Sequence, residues 1–159
     1  MIYKNGQILF VNWNNPYAKL IKFYNLINYG VEGFSHVGII TKVNKDTILI
    51  HEAISKGFVS SLYPKKFIDG KIKEGSIDIK DVKIKLVNIR KYADKYIGRP
   101  YGFLDVFGIF ISFIFKFKFI KITGANSLIC SEAVSRILYD ASNKKIVMGY
   151  KNKGDKSEF

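Results

Sequence analysis

Cys130 is the only cysteine in 159 residues and sits in Ile129-Cys130-Ser131-Glu132, just ahead of Ala133, Val134, Ile137, Leu138 and Ala141, which recur on one helical face. A thiol attacks an acyl carbon as the thiolate. A helix N-terminus favours that form by placing unpaired amide N–H groups and a partial positive charge beside the sulfur. The position therefore suits a nucleophile, while a small buried hydrophobe is the ordinary role of a free cysteine. A lone cysteine can form no intramolecular disulfide, so it is free for chemistry.

A thiolate nucleophile needs a base, and the chain has two histidines, His36 and His51. His36 lies in Ser35-His36-Val37-Gly38-Ile39-Ile40, an apolar strand-like run in which an imidazole must find polar partners. Gly38, two residues on and so on the same face, leaves room beside it. His51 and Glu52 lie in Ile48-Leu49-Ile50-His51-Glu52-Ala53-Ile54. Either could orient His36 and complete a nucleophile, base and orienter set.

Hairpin register decides between them. A three-residue turn over 44–46 pairs Gly38 with Glu52 and puts Glu52 on the face of His36; a two-residue turn at Lys45-Asp46 pairs Ile40 with His51. Glu52 is the expected third member, because a carboxylate bound to Nδ1–H stabilises imidazolium and a second imidazole would repel it. His51 is the alternative. Metal chemistry is not expected, since no paired-ligand spacing such as Cys-x-x-Cys or His-x-x-x-His occurs.

These residues need elements to hold them. Residues 7–11 read as a buried strand. Pro16 opens a helix with Leu20, Ile21, Tyr24, Ile27 and Asn28 at helical spacing, stopped by Gly30 and Gly33. Residues 34–43 and 47–54 form a hairpin, and 58–62 and 82–87 read as further strands. Residues 88–97 read as a helix ended by Gly98 and Pro100. A helical patch over 103–111 gives way to a strand over 113–122, where Phe113, Phe115, Phe117 and Phe119 share a face. One catalytic domain over 1–150 is expected, followed by a polar tail over 151–159 that frays.

Lys and Arg number 26 against 13 acidic residues, a formal charge of +13, which attracts anionic surfaces over long range. Most of this charge is scattered lysine, a solvated surface rather than a binding stripe. A non-catalytic basic module binding nucleic acid or an anionic surface has only this charge behind it, since no nucleic-acid-binding signature is present. The first residues show no secretory signal pattern, and the apolar stretch 102–115 contains Asp105 and is shorter than the ~20 residues of a spanning helix. A substrate outside the cell would require a non-classical or phage-type delivery route.

In order, the strand after Gly6, Ser35-His36-Val37-Gly38-Ile39, Glu52-Ala53, Gly57-Phe58-Val59, Tyr96-x-Gly98-x-Pro100-Tyr101 and Ile129-Cys130-Ser131-Glu132 resemble the permuted NlpC-type papain-like cysteine hydrolases. Within that superfamily the chain resembles the YiiX-like amidopeptidase branch, with the lecithin retinol acyltransferase-like enzymes as cousins. The resemblance implies an α+β, circularly permuted papain-like fold, its antiparallel sheet packed against helices. It implies Cys130 as nucleophile, His36 as base and Glu52 as orienter, with Tyr101, Ser35 and Ser131 at the substrate groove. The expected activity is an amidase or peptidase acting through a thioester, with cell-wall peptides as candidate substrates and no cofactor. Lipid acyl hydrolysis or acyl transfer is the alternative that the cousins imply, and a monomer is expected. Two departures bear on substrate: Tyr101-Gly102 stands where relatives often have Tyr-Asp, and the Phe-rich stretch over 103–122 is unusually long.

Overall fold

A computed structural model describes residues 2–29, 33–103, 108 and 127–144. Chain order is β1 (Ile8–Val11), α1 (Pro16–Tyr29), β2 (His36–Val43), β3 (Thr47–Ile54), β4 (Gly57–Pro64), α2 (Lys65–Lys73), β5 (Ile77–Lys80), α3 (Ile89–Asp94) and α4 (Cys130–Ala141). Among the described residues the five strands form one sheet, ordered β4-β3-β2-β1-β5, with every neighbouring pair antiparallel. The class is α+β, as the hydrophobic periods predict.

Alternation along the strands divides the core between the two faces of the sheet. Ile8, Ile39 and Ala53 pack with Ala133, Val134, Ile137 and Leu138 of α4 and with Ile89 and Ala93 of α3. Leu9, Val11, Ile40, Ile48 and Ile50 pack with Ile68 of α2 and Ile77 of β5. Fully burying one such aliphatic side chain stabilises by about 1.5–3 kcal/mol. The stripe of α4 is therefore what holds Cys130, its first residue, against the sheet.

The β2–β3 hairpin has a feature that the turn arithmetic omits. Asn44 N–H donates to Thr47 O at 2.9 Å, and Val43 pairs with Ile48, the register of a two-residue turn. The pairing then shifts between Ile40 and Lys42, and beyond that irregularity Gly38 stands opposite Glu52 and Ile39 opposite His51. One extra residue, Thr41, converts one register into the other. Its buried hydroxyl lies 2.8 Å from Nδ1 of His51 and 3.4 Å from the carbonyl oxygen of Leu49.

Two expectations need correction. No strand forms over 82–87: β5 occupies the free edge of β1, while Val82 and Leu86 pack beneath α4 on irregular backbone and Val87 N–H donates to Ala141 O at 2.9 Å. The helix expected over 88–97 spans only Ile89–Asp94, and turns continue to Gly98. The helix α2 is not signalled by the sequence, since Ile68 is its one buried residue. The expected helix over 103–111, strand over 113–122 and tail over 151–159 lie outside the described residues, apart from Phe103 and Gly108. Among the described residues no helix is long and apolar enough to cross a membrane.

Candidate active site

One end of the sheet collects the residues of interest. Val11 pairs with His36, the first residue of β2; Glu52 lies near the end of β3; and Ile54 pairs with Gly57 at the start of β4. Chain 98–102 is tied to the same end. Phe58 N–H donates to Arg99 O at 2.8 Å and Gly98 N–H to Phe58 O at 2.9 Å. Gly57 permits this approach: its φ is +107°, and a Cβ there would lie 2.5 Å from Arg99 O. Leu128 in turn bridges Tyr101, with Leu128 N–H donating to Pro100 O and Gly102 N–H to Leu128 O. Two residues later comes Cys130.

The three expected catalytic side chains meet. Nε2 of His36 lies 2.9 Å from Oε2 of Glu52, with His36 4% and Glu52 4% exposed. His36 is also hydrogen-bonded to Cys130. The carboxylate therefore holds Nε2 rather than the expected Nδ1, which leaves Nδ1 for the thiol. The reason is strand position: Gly38 lies directly opposite Glu52, so the carboxylate reaches diagonally to the far nitrogen of a ring two residues away. A Cβ on Gly38 would lie 2.9 Å from Ile50 Cγ2 and 3.4 Å from Glu52 Cβ, so the space beside His36 is filled by Ile50 and Glu52.

Electrostatics follow from these contacts. Burial alone would lower the His36 pKa, but hydrogen bonds to Cys130 and Glu52, and their negative charges, raise it to about 9. Burial would raise the Cys130 thiol, yet the His36 hydrogen bond and charge, with N–H groups of Val37 and Ser131, bring it below the usual thiol value. Glu52 is likewise held below its ordinary value: burial opposes ionisation, and His36, Tyr63 and Ser61 overcome it. The arrangement favours a thiolate–imidazolium pair. Cys130 as a residue is half-buried at the first position of α4.

Tyr63 supports the carboxylate, its hydroxyl donating to Oε1 of Glu52 at 2.8 Å, and burial followed by the Glu52 charge pushes its own pKa up to about 12. Its role is not apparent in the sequence because the expected strand stops at Leu62. Once β4 runs to Pro64, Ser61 and Tyr63 share the face of Glu52. Tyr101 stands beside the thiol, where burial and then the Cys130 charge raise its pKa. Ser131 is exposed in the first turn of α4. Ser35, expected at the groove, is instead 4% exposed, and its hydroxyl accepts from Trp13 N–H at 3.1 Å and lies 3.3 Å from Val11 O. It shapes the backbone behind the site.

His51 belongs to the other face. Fully buried, it lies 2.8 Å from Thr41 Oγ1 through Nδ1 and 2.9 Å from Asp94 Oδ1 through Nε2, tying β3 to α3. Its pKa is lowered, because burial outweighs Asp94, so Nε2–H donates to Asp94 and the Thr41 hydroxyl serves Nδ1. Among the described residues no group of three or more His, Cys, Asp or Glu side chains could hold a metal ion.

The two candidate orienters, Glu52 and His51, should thus separate by readout. Glu52→Gln is expected to lower turnover about tenfold or more, since acid–base contributions run to 10²–10⁴-fold, with little change in fold. His51→Gln should cost about 1–3 kcal/mol of stability, the range for a broken buried hydrogen bond, with much milder loss of turnover. Steady-state rates and denaturant midpoints of both variants check this, and the opposite ranking in rate would make His51 the orienter.

No family model matches the chain, and no curated protein matches it.

Proposed function

We propose that this chain is a cysteine-dependent amidase or peptidase with a permuted papain-like fold, in which Cys130 is the nucleophile, His36 the acid–base and Glu52 the orienter. The observation that carries the reading is the hydrogen-bonded Cys130, His36 and Glu52 array, with His36 and Glu52 both buried. The order of elements also supports it, since the histidine strand precedes the cysteine helix and both meet at one end of an antiparallel sheet.

His36 takes the thiol proton and the thiolate attacks the acyl carbon. The imidazolium then protonates the leaving nitrogen as the C–N bond breaks, leaving a thioester on Cys130. Water, deprotonated by His36, attacks that thioester; the carboxylic acid departs and the thiol is restored. Backbone N–H groups around Cys130 stabilise the oxyanion in each half. Every step uses residues of this chain.

The test has two arms. A thiol-directed acyl probe should label the wild type and fail to label His36→Ala. Amine release from peptidoglycan fragments is expected, in preference to fatty acid release from phospholipid. Fatty acid release alone would overturn the amide reading in favour of lipid chemistry, and labelling independent of His36 would overturn the mechanism.

A further inference from the structure

The His36 ring has a partner that the mechanism above does not use. The indole of Trp13 lies over it with ring centroids 4.3 Å apart and planes 10° from parallel, a face-to-face stack. His36 is 4% exposed and Trp13 41% exposed, so the indole covers the ring and turns its own outer face to solvent. The stack is held from behind: Trp13 N–H donates to Ser35 Oγ at 3.1 Å, and Ser35 N–H donates to Val11 O at 2.9 Å. Asn12 N–H donates to Ser76 O at 2.8 Å, fixing the next residue as well. The residue preceding His36 therefore positions the residue that covers it.

A parallel stack on an indole does two things to imidazole. It restricts the ring plane, which must stay aligned with both Glu52 and Cys130. It also favours the protonated ring, because a cation over the face of an indole is attracted by the ring quadrupole, most strongly where water is excluded. From this geometry we infer that Trp13 is a positioning residue of the active site, holding the His36 ring in plane and stabilising its imidazolium form against the Cys130 thiolate. The inference rests on the reading of Cys130 and His36 as an ion pair. Among the described residues, the other ionisable groups around the pair are Glu52 on β3, Tyr63 on β4 behind it, and Tyr101 beside the sulfur.

Trp13 is the chain's single tryptophan, so its emission reports on this contact without substrate. A protonated imidazole in contact quenches indole fluorescence more than a neutral one. Emission of the wild type should therefore rise as pH passes about 9, where His36 loses its proton, and the step should be absent in His36→Gln. The second measurement is the rate of Cys130 alkylation by iodoacetamide against pH. Trp13→Leu should move the thiol titration up by about one pH unit, a tenfold loss of thiolate below it; Trp13→Phe should retain most of the wild-type behaviour; and Ser35→Ala should move part of the way. A wild-type thiol titration at the ordinary value would overturn this inference together with the proposed function. A depressed wild-type titration left unmoved by Trp13→Leu, or emission flat from pH 5 to 10, would overturn this inference alone.

Discussion

Cys130→Ala is expected to abolish turnover, by about a thousandfold or more, while leaving the fold nearly intact. Removing a nucleophile from a triad that acts as one unit costs most of what the whole triad contributes. Cys130 is half-buried at the first position of α4, and the residues that hold that helix are Ala133, Val134, Ile137, Leu138 and Ala141 further along it. Truncation there opens a small cavity at most, costing roughly 1 kcal/mol. Thermal unfolding followed by circular dichroism should show a midpoint within a few degrees of the wild type. Turnover that survived the substitution would place the chemistry elsewhere.

His36→Ala is expected to lower turnover by about 10²–10⁴-fold and to return the thiol towards its ordinary titration. The wild type should be active from the depressed thiol value upward and lose activity as pH passes about 9, where the imidazolium that protonates the leaving nitrogen gives up its proton. The sign for stability follows the same shifts. A histidine raised from 6.5 to about 9 contributes stability that is fully present below 6.5 and is lost as pH rises through about 9. A thiol lowered on folding contributes above its ordinary value and loses that contribution as pH falls through the depressed one. Rates and unfolding midpoints from pH 5 to 10 check both limbs, and the alkaline loss of activity should vanish in His36→Ala. An alkaline limb unchanged in that variant would assign it to another group.

Much of the site is legible in the sequence. Cys130 at a helix start, His36 in an apolar strand and a polar pair across the hairpin are local facts, carried by helical and strand periods that span only a few residues. What remained open was which of His51 and Glu52 faces His36, because strand pairing has period two and a slip of one residue exchanges the faces. The turn at Lys45-Asp46 alone would have placed His51 there; the bulge at Thr41 reverses that outcome. No pattern around Thr41 announces a bulge. What favours this register is visible only in the folded chain, where Thr41 and Asp94 satisfy His51 inside one layer and Tyr63 and Ser61 satisfy Glu52 in the other.

The same division explains the remaining differences. Residues 82–87 alternate as a strand should, but Val82 and Leu86 are taken up by the core around α4 and Val87 N–H is bonded to Ala141 O, so the segment pairs with no strand of the sheet. Trp13 gave no periodic signal because its partner is 23 residues away and comes near only when β1 and β2 pair through Val11 and His36. By itself, then, the sequence determined which side chains could carry chemistry and which elements present them, since both depend on neighbours along the chain. The tertiary structure decided which histidine nitrogen meets the carboxylate, whether Glu52 or His51 faces that ring, and what covers it, since each depends on register and packing between segments far apart in sequence.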